Sequence, residues 1–169
     1  MFSFFKKKKD PFTVRIKEYE QPRFVAGMQT PTAKRSYRKD VSALQTSFNG
    51  KRDQLQNRTN PSGTMVIFSL PDSAGSFTYF VGDLVDTAQQ VDCFVVRELP
   101  AGKYAHIDFK VPTDLPLKMA KAKKYFFHTW LPNSGYKMLD GIESCELYDR
   151  RSKIALPSME LIFPLQSKQ

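Results

Sequence analysis

The succession of strand and helix patterns, which runs twice along the chain, constrains the fold more than any single motif. In the first half, "FTVRIKEYE" alternates Phe12, Val14 and Ile16 with Thr13, Arg15 and Lys17, the period of a half-buried strand. The strand passes through Pro22 and resumes as "RFVAGM". Tyr37, Val41, Leu44 and Phe48 then recur at helical spacing on one face, and Asn49-Gly50 signals its end. "TMVIFSL" and "FTYFVGDLV" follow as two strands joined by the turn-rich "PDSAGS". The second half has the same order. "CFVVRELPAGKYAHIDFK" is a long strand broken at Pro100-Ala101-Gly102. Thr113 is placed to cap a helix whose apolar face carries Met119, Ala122, Phe126 and Trp130, with Lys118, Lys121 and Lys124 on the wet side. "WLPNSGY" stops that helix, and "IESCELYD" and "SMELIFPL" supply two more strands.

Each half is thus strand, helix, strand, strand, and the halves echo locally in "QPRFVA" and "AGKYAH". The predicted fold is α+β: two strand–helix–strand–strand repeats with pseudo-twofold symmetry, an antiparallel sheet, two helices, and a ligand groove where the halves meet. The repeats span about 12–86 and 93–166 of one domain over 12–166. A basic tail, residues 1–11, precedes it.

Charge and targeting signals narrow the setting. The chain carries a net charge of +9, but Lys6 to Lys9 concentrate four of the positive charges in the tail. Such a run is read first as solvated. The tail's apolar stretch precedes its charges and is too short for a signal peptide, and no long apolar segment suggests a membrane span. Cys93 and Cys145 are accordingly expected as reduced thiols and the cytoplasm as the address. The Lys118, Lys121, Lys123, Lys124 cluster reads as a solvated helix face.

Catalytic and cofactor motifs are missing. His106 and His128 are the only histidines, and neither has a second good ligand near it in sequence; no metal site is predicted. There is no CxxC, P-loop, GxGxxG or GxSxG, and no cofactor is expected. No RNA-recognition or helix-turn-helix pattern appears, so no direct nucleic-acid or membrane partner is expected. His106 reads as a partly exposed strand histidine.

What remains is an aromatic-rich sheet with an acid. Strand alternation puts Ile142, Ser144, Glu146 and Tyr148 on one face of the "IESCELYD" strand and Glu143, Cys145, Leu147 and Asp149 on the other. Tyr104, His106 and Asp108 alternate with Ala105, Ile107 and Phe109, which look core-bound; Tyr79 and Val81 oppose Phe80 and Leu84 in the same way. Aromatic faces with a carboxylate suit a flat, apolar, cationic ligand. Glu146 either serves such a ligand or pairs with one of the many lysines; the residues alone leave both open.

The segments "VRIKEYEQPRFVAGM", "ELPAGKYAHIDF", "HTWLPNSGY" and "CELYD", in this order, resemble the gyrase-inhibitor-like family, the effector-binding domain of bacterial AraC-type and MerR-type multidrug regulators. The resemblance covers about Phe12 to Leu165. It implies a groove between two repeats whose acid, in drug-binding members, meets lipophilic cations. Here that acid is Glu146, with Tyr148 on its face, Tyr104 and Trp130 as matched aromatics, and Glu160 as a second acid. Tyr79 completes the expected ligand-binding set, although Trp130 also reads as the last core residue of its helix. Cys145 departs from the family's larger side chain. Only 11 residues precede Phe12, so a stand-alone member is expected.

The resemblance implies three functions: a binding, sensing or sequestering module for small hydrophobic or cationic compounds; a hydrolase of electrophilic cyclopropane-type compounds with Glu146 as general base; and a protein that inhibits gyrase or docks on a regulator. Binding ranks first. The ligand's identity and the oligomeric state are not fixed by the sequence.

Overall fold

A computed structural model describes residues 10–59, 63–110, 114–148 and 158–168, with backbone alone at 109, 110 and 158. Lys6 to Lys9, Thr113 and Asp149 lie outside the described residues. In chain order the elements are β1 (Arg15–Tyr19), β2 (Arg23–Ala33), α1 (Tyr37–Lys51), β3 (Thr64–Ser69), β4 (Ser76–Val85), β5 (Val95–Leu99), β6 (Gly102–Lys110), α2 (Leu115–Tyr125), β7 (Tyr136–Met138), β8 (Ile142–Tyr148) and β9 (Ser158–Ser167). A short 3-10 turn, Arg52–Gln54, extends α1, and a π-helical turn, Phe126–Trp130, extends α2. Asn49-Gly50 does not end α1, which runs through it to Lys51. The β3–β4 turn does need its glycine: Gly75 sits at φ +80°, while Asp72 Oδ1 accepts the backbone N–H of Ala74 and Ser76 at 2.9 Å each.

The strands lie in the order β1-β6-β9-β8-β3-β4-β2-β5, every pairing antiparallel, with β7 added to β9. Read from either end the order is the same once the repeats are exchanged. β1 stands where β5 does, β6 where β2, β9 where β4 and β8 where β3. The pseudo-twofold therefore runs through the central β3–β8 pair. The repeats also trade their first strands: β1 pairs with β6 of the other half, and β5 with β2. Pro22 and the Pro100-Ala101 break are where this exchange occurs, because proline cannot donate to a continuing ladder.

These links force the sheet to curl. Leu99, at one edge strand, is three Cα steps from Gly102, which starts the second strand from the other edge. Three steps reach at most about 11 Å. The 20–22 link between β1 and β2 imposes the same closure. Inside the curl Val25, Met65, Phe80, Leu99, Tyr104, Cys145 and Ile162 pack with essentially no exposure and no helical partner. On the outer face α1 covers a cluster around Phe48, Val66, Tyr79 and Val81, and α2 covers one around Phe126, Ile107, Leu161 and Phe163. Phe126 stacks on Phe163 with ring centroids 3.8 Å apart. Full burial of one such ring stabilises by about 1.5–3 kcal/mol.

Inside the curl Tyr19, His106 and Glu160 form a connected polar chain. His106, expected to be partly exposed, is fully buried; its Nδ1 lies 2.6 Å from Glu160 Oε2 and its Nε2 3.3 Å from the Tyr19 hydroxyl. Lys17 Nζ lies 3.4 Å from the same Glu160 oxygen. Burial holds the His106 pKa below its ordinary value, partly offset by the Glu160 hydrogen bond. Arg23 lays its guanidinium 3.5 Å from the Tyr19 ring centroid, a cation–π contact that stands in for hydrogen bonds at its Nε and Nη2.

Candidate ligand-binding site

Over the central β3–β8 seam, between α1 and α2, lies a cavity of about 730 Å³. Five elements build it. α2 contributes Leu115, Pro116, Met119, Ala120 and Lys123, one stripe at helical spacing. The start of α1 contributes Tyr37, β3 and β4 contribute Phe68 and Phe77, and β8 contributes Glu143, Glu146 and Tyr148. A second hollow of about 410 Å³ lies toward α1, lined by Val41, Gln45, Val66 and Tyr79 among others. Tyr37, Glu146 and Tyr148 line both. The carboxylate thus stands at the boundary of the two.

Strict alternation would turn Glu143 away from Glu146, yet both line the cavity. The cause is a β-bulge. Phe68 pairs with Ser144 and the next residue, Ser69, with Ile142, so Glu143 has no partner on β3. One extra residue flips the pattern beyond it. Ile142, expected beside Glu146, instead joins Cys145 and Leu147 inside the curl. Ser144 keeps its expected side in register with Phe68 and donates to Glu143 Oε2 at 3.2 Å.

Glu146 is only 6% exposed. Its hydrogen-bond partner is the Tyr148 hydroxyl, which donates to Oε2 at 2.8 Å. Among the described residues no lysine or arginine closes a salt bridge on Glu146. Burial raises its pKa; the Tyr148 bond and the Lys123 charge pull the other way, and Glu143 adds to the rise. The surrounding phenols respond in kind. Tyr148 is pushed up by burial and by the Glu146 charge, Tyr37 by the same two causes, and Tyr79 to about 12, chiefly by burial.

These rings form a connected shell. Tyr37 meets Tyr79 edge-on at 6.0 Å and Phe77 at 6.1 Å, and Phe68 meets Tyr79 edge-on at 5.5 Å. Gln45 Nε2 donates to the Tyr79 hydroxyl at 2.9 Å, fixing that ring from α1. Such packing holds the aromatic faces before any ligand arrives.

Glu146, Tyr148 and Tyr79 therefore converge. Tyr104 and Trp130 do not. Tyr104 points into the curl, on the side opposite Ala105 and Ile107, and donates to the Pro100 carbonyl at 2.6 Å. Trp130 stacks on Phe126 at 5.3 Å and aligns with Tyr136 at 6.4 Å, which makes it the flank of the α2 core. Glu160 is likewise inside the curl with His106, not a second acid of the cavity. Three lining residues escape a strand or helix pattern read alone: Phe68 and Phe77, which look like ordinary strand residues, and Lys123, which reads as part of the wet face of α2.

A curled antiparallel sheet carrying two helices over a ring-lined cavity defines a small-molecule-binding module of the effector-binding type. A sequence model described as Cass2, integron-associated effector binding protein, matches residues 15–164. The chain belongs to that family, in line with the gyrase-inhibitor-like resemblance. No curated protein matches the sequence. Among solved structures, SAV2435 bound to tetraphenylphosphonium is similar over 92% of this chain and 93% of its own, at 15% identity and a TM-score of 0.67. The EcmrR C-terminal domain is similar over 94% and 99%, at 16% identity and 0.60; of the longer EcmrR chain seen in its DNA complex the likeness covers 58%. The integron cassette protein VCH_CASS2 of Vibrio cholerae is similar over 92% and 97%, at 14% identity and 0.56. Identities this low show a shared fold. Among the described residues no helix is long and apolar enough to cross a membrane.

Proposed function

We propose that this protein binds lipophilic cations in the cavity over β3 and β8, with Glu146 as the countercharge. The observation that carries this reading is a nearly buried carboxylate, met by a phenol and, among the described residues, closed by no salt bridge, at the junction of two ring-lined hollows. Burying a carboxylate without a cation is costly. A ligand that brings apolar surface and one positive charge removes that cost while it buries its own area. The similarity to SAV2435, solved with tetraphenylphosphonium, supports the same ligand class here.

Calorimetric titration with tetraphenylphosphonium and with tetraphenylborate, equal in shape and opposite in charge, tests this directly. The phosphonium is expected to bind and the borate not. The pH dependence has a defined sign. The raised Glu146 pKa means that the empty site takes up a proton above the ordinary carboxylate value of 4.5. Cation affinity is highest above that raised pKa and falls about tenfold per pH unit below it. The Glu146 contribution to folding runs oppositely: it is present below pH ~4.5 and lost as pH rises through the raised value. Equal binding of the two probes, or cation affinity that rises in acid, contradicts the assignment.

A further inference from the structure

The cavity already contains a cation. Lys123 is the lysine of the α2 cluster that lines the cavity: its Nζ lies 4.5 Å from the Phe68 ring centroid and 3.6 Å from Glu143 Oε2. Its side chain is 24% exposed, whereas Lys121 and Lys124 are exposed residues and Lys118 is half-buried. It sits one turn beyond Met119 and Ala120 on the stripe that walls the cavity. Glu143, its partner, faces this way only because of the bulge in β8. Two independent features, a helical position and a strand irregularity, therefore place an ammonium over an aromatic face inside the proposed site.

Resting on the cation-binding reading, we infer that Lys123 is a tethered competitor that occupies the position of a ligand's charge in the empty cavity. It covers the face of Phe68, which a cation would otherwise use. It also balances the charge: Lys34 and Lys123 line the cavity with Glu143 and Glu146, two of each sign. An incoming cation exchanges places with the ammonium, which swings to water on its four-carbon stem. A small hydrated cation gains little from such an exchange, since one ammonium replaces another. A lipophilic cation gains, because it adds apolar burial against Met119, Phe77 and Leu115. Lys123 thereby selects ligands for apolar content as well as charge.

The test is calorimetric titration of tetraphenylphosphonium into the full chain as wild type, Lys123→Met, Lys123→Gln and Lys123→Arg. Methionine keeps the length of the stem without its charge. Both neutral variants are expected to tighten binding by roughly three- to thirtyfold, the span of one partly desolvated cation–π contact with one half-exposed ion pair. Arginine is expected to stay within about twofold of wild type, because it keeps the competing charge. Affinity that is unchanged or weaker in both neutral variants, with wild type binding normally, overturns the competitor role and leaves the Glu146 site intact. Absence of binding in all four proteins overturns the cation-binding reading itself, and the competitor role with it.

Discussion

Glu146→Gln is expected to weaken tetraphenylphosphonium binding by about 30- to 150-fold, and to change the affinity of neutral triphenylphosphine oxide by less than about threefold. The first figure corresponds to ~2–3 kcal/mol, within the range measured for close charge pairs. The amide keeps the shape of the side chain and an oxygen that accepts from the Tyr148 hydroxyl, so the loss reports charge and not packing. Stability supplies an internal control. The Glu146 charge costs stability at neutral pH, since burial raises its pKa. The variant should therefore melt at or above the wild-type temperature while it binds worse, a trade expected where a site is built against the fold's own preference. Equal losses for the cationic and neutral probes show that Glu146 acts through shape alone.

Asp83→Ala is expected to destabilise the protein by about 3–5 kcal/mol, the range for removing one partner of a buried ion pair. Asp83 on β4 is completely buried. Arg52, just past the end of α1, grips it through Nε at 2.7 Å and Nη2 at 2.9 Å, and Thr64 donates to it at 2.8 Å. Arg58 approaches to 3.5 Å. This pair fixes the C-terminal end of α1 to the sheet, and α1 carries Tyr37 to the cavity and Gln45 to the adjoining hollow. Removal strands the Arg52 guanidinium in a mostly enclosed place. At about 2–4 °C per kcal/mol for a chain of this size, thermal unfolding should fall by roughly 6–20 °C. The double variant Asp83→Leu with Arg52→Met should recover much of the loss, because replacing both charges removes the stranded one. A single-variant loss below about 1 kcal/mol contradicts this view of the α1 anchor.

The architecture was legible from the sequence because its signals are local and repeated. Period-two and helical spacing place α1, α2, β3 and β4, and their duplicated order gives the pseudo-twofold. Alternation within β4 sorts Tyr79 and Val81 from Phe80 and Leu84 as the packing does. Glu146 and Tyr148 were legible for the same reason, as neighbours two apart on one strand. What escaped depends on events that no local pattern records. Tyr104 and Glu160 are polar groups on strand faces, and only the closure of the sheet shows that their face is the interior of a curl. The exchange of β1 and β5 between repeats is a long-range pairing. The bulge at Glu143 carries no glycine or proline to announce it. Trp130 sits at true helical core spacing, and the core reading of it is the one the packing follows.

The proposed place for the cation is beside Glu146, over the β3–β8 seam. Crystals grown with tetraphenylphosphonium test it most directly. Density for the four phenyl groups is expected within the cavity of Phe68, Phe77 and Met119, next to Glu146, with the Lys123 side chain displaced toward solvent. Density seated instead against Trp130 and Tyr136, or beside Tyr19 and Arg23 at the curl, contradicts it.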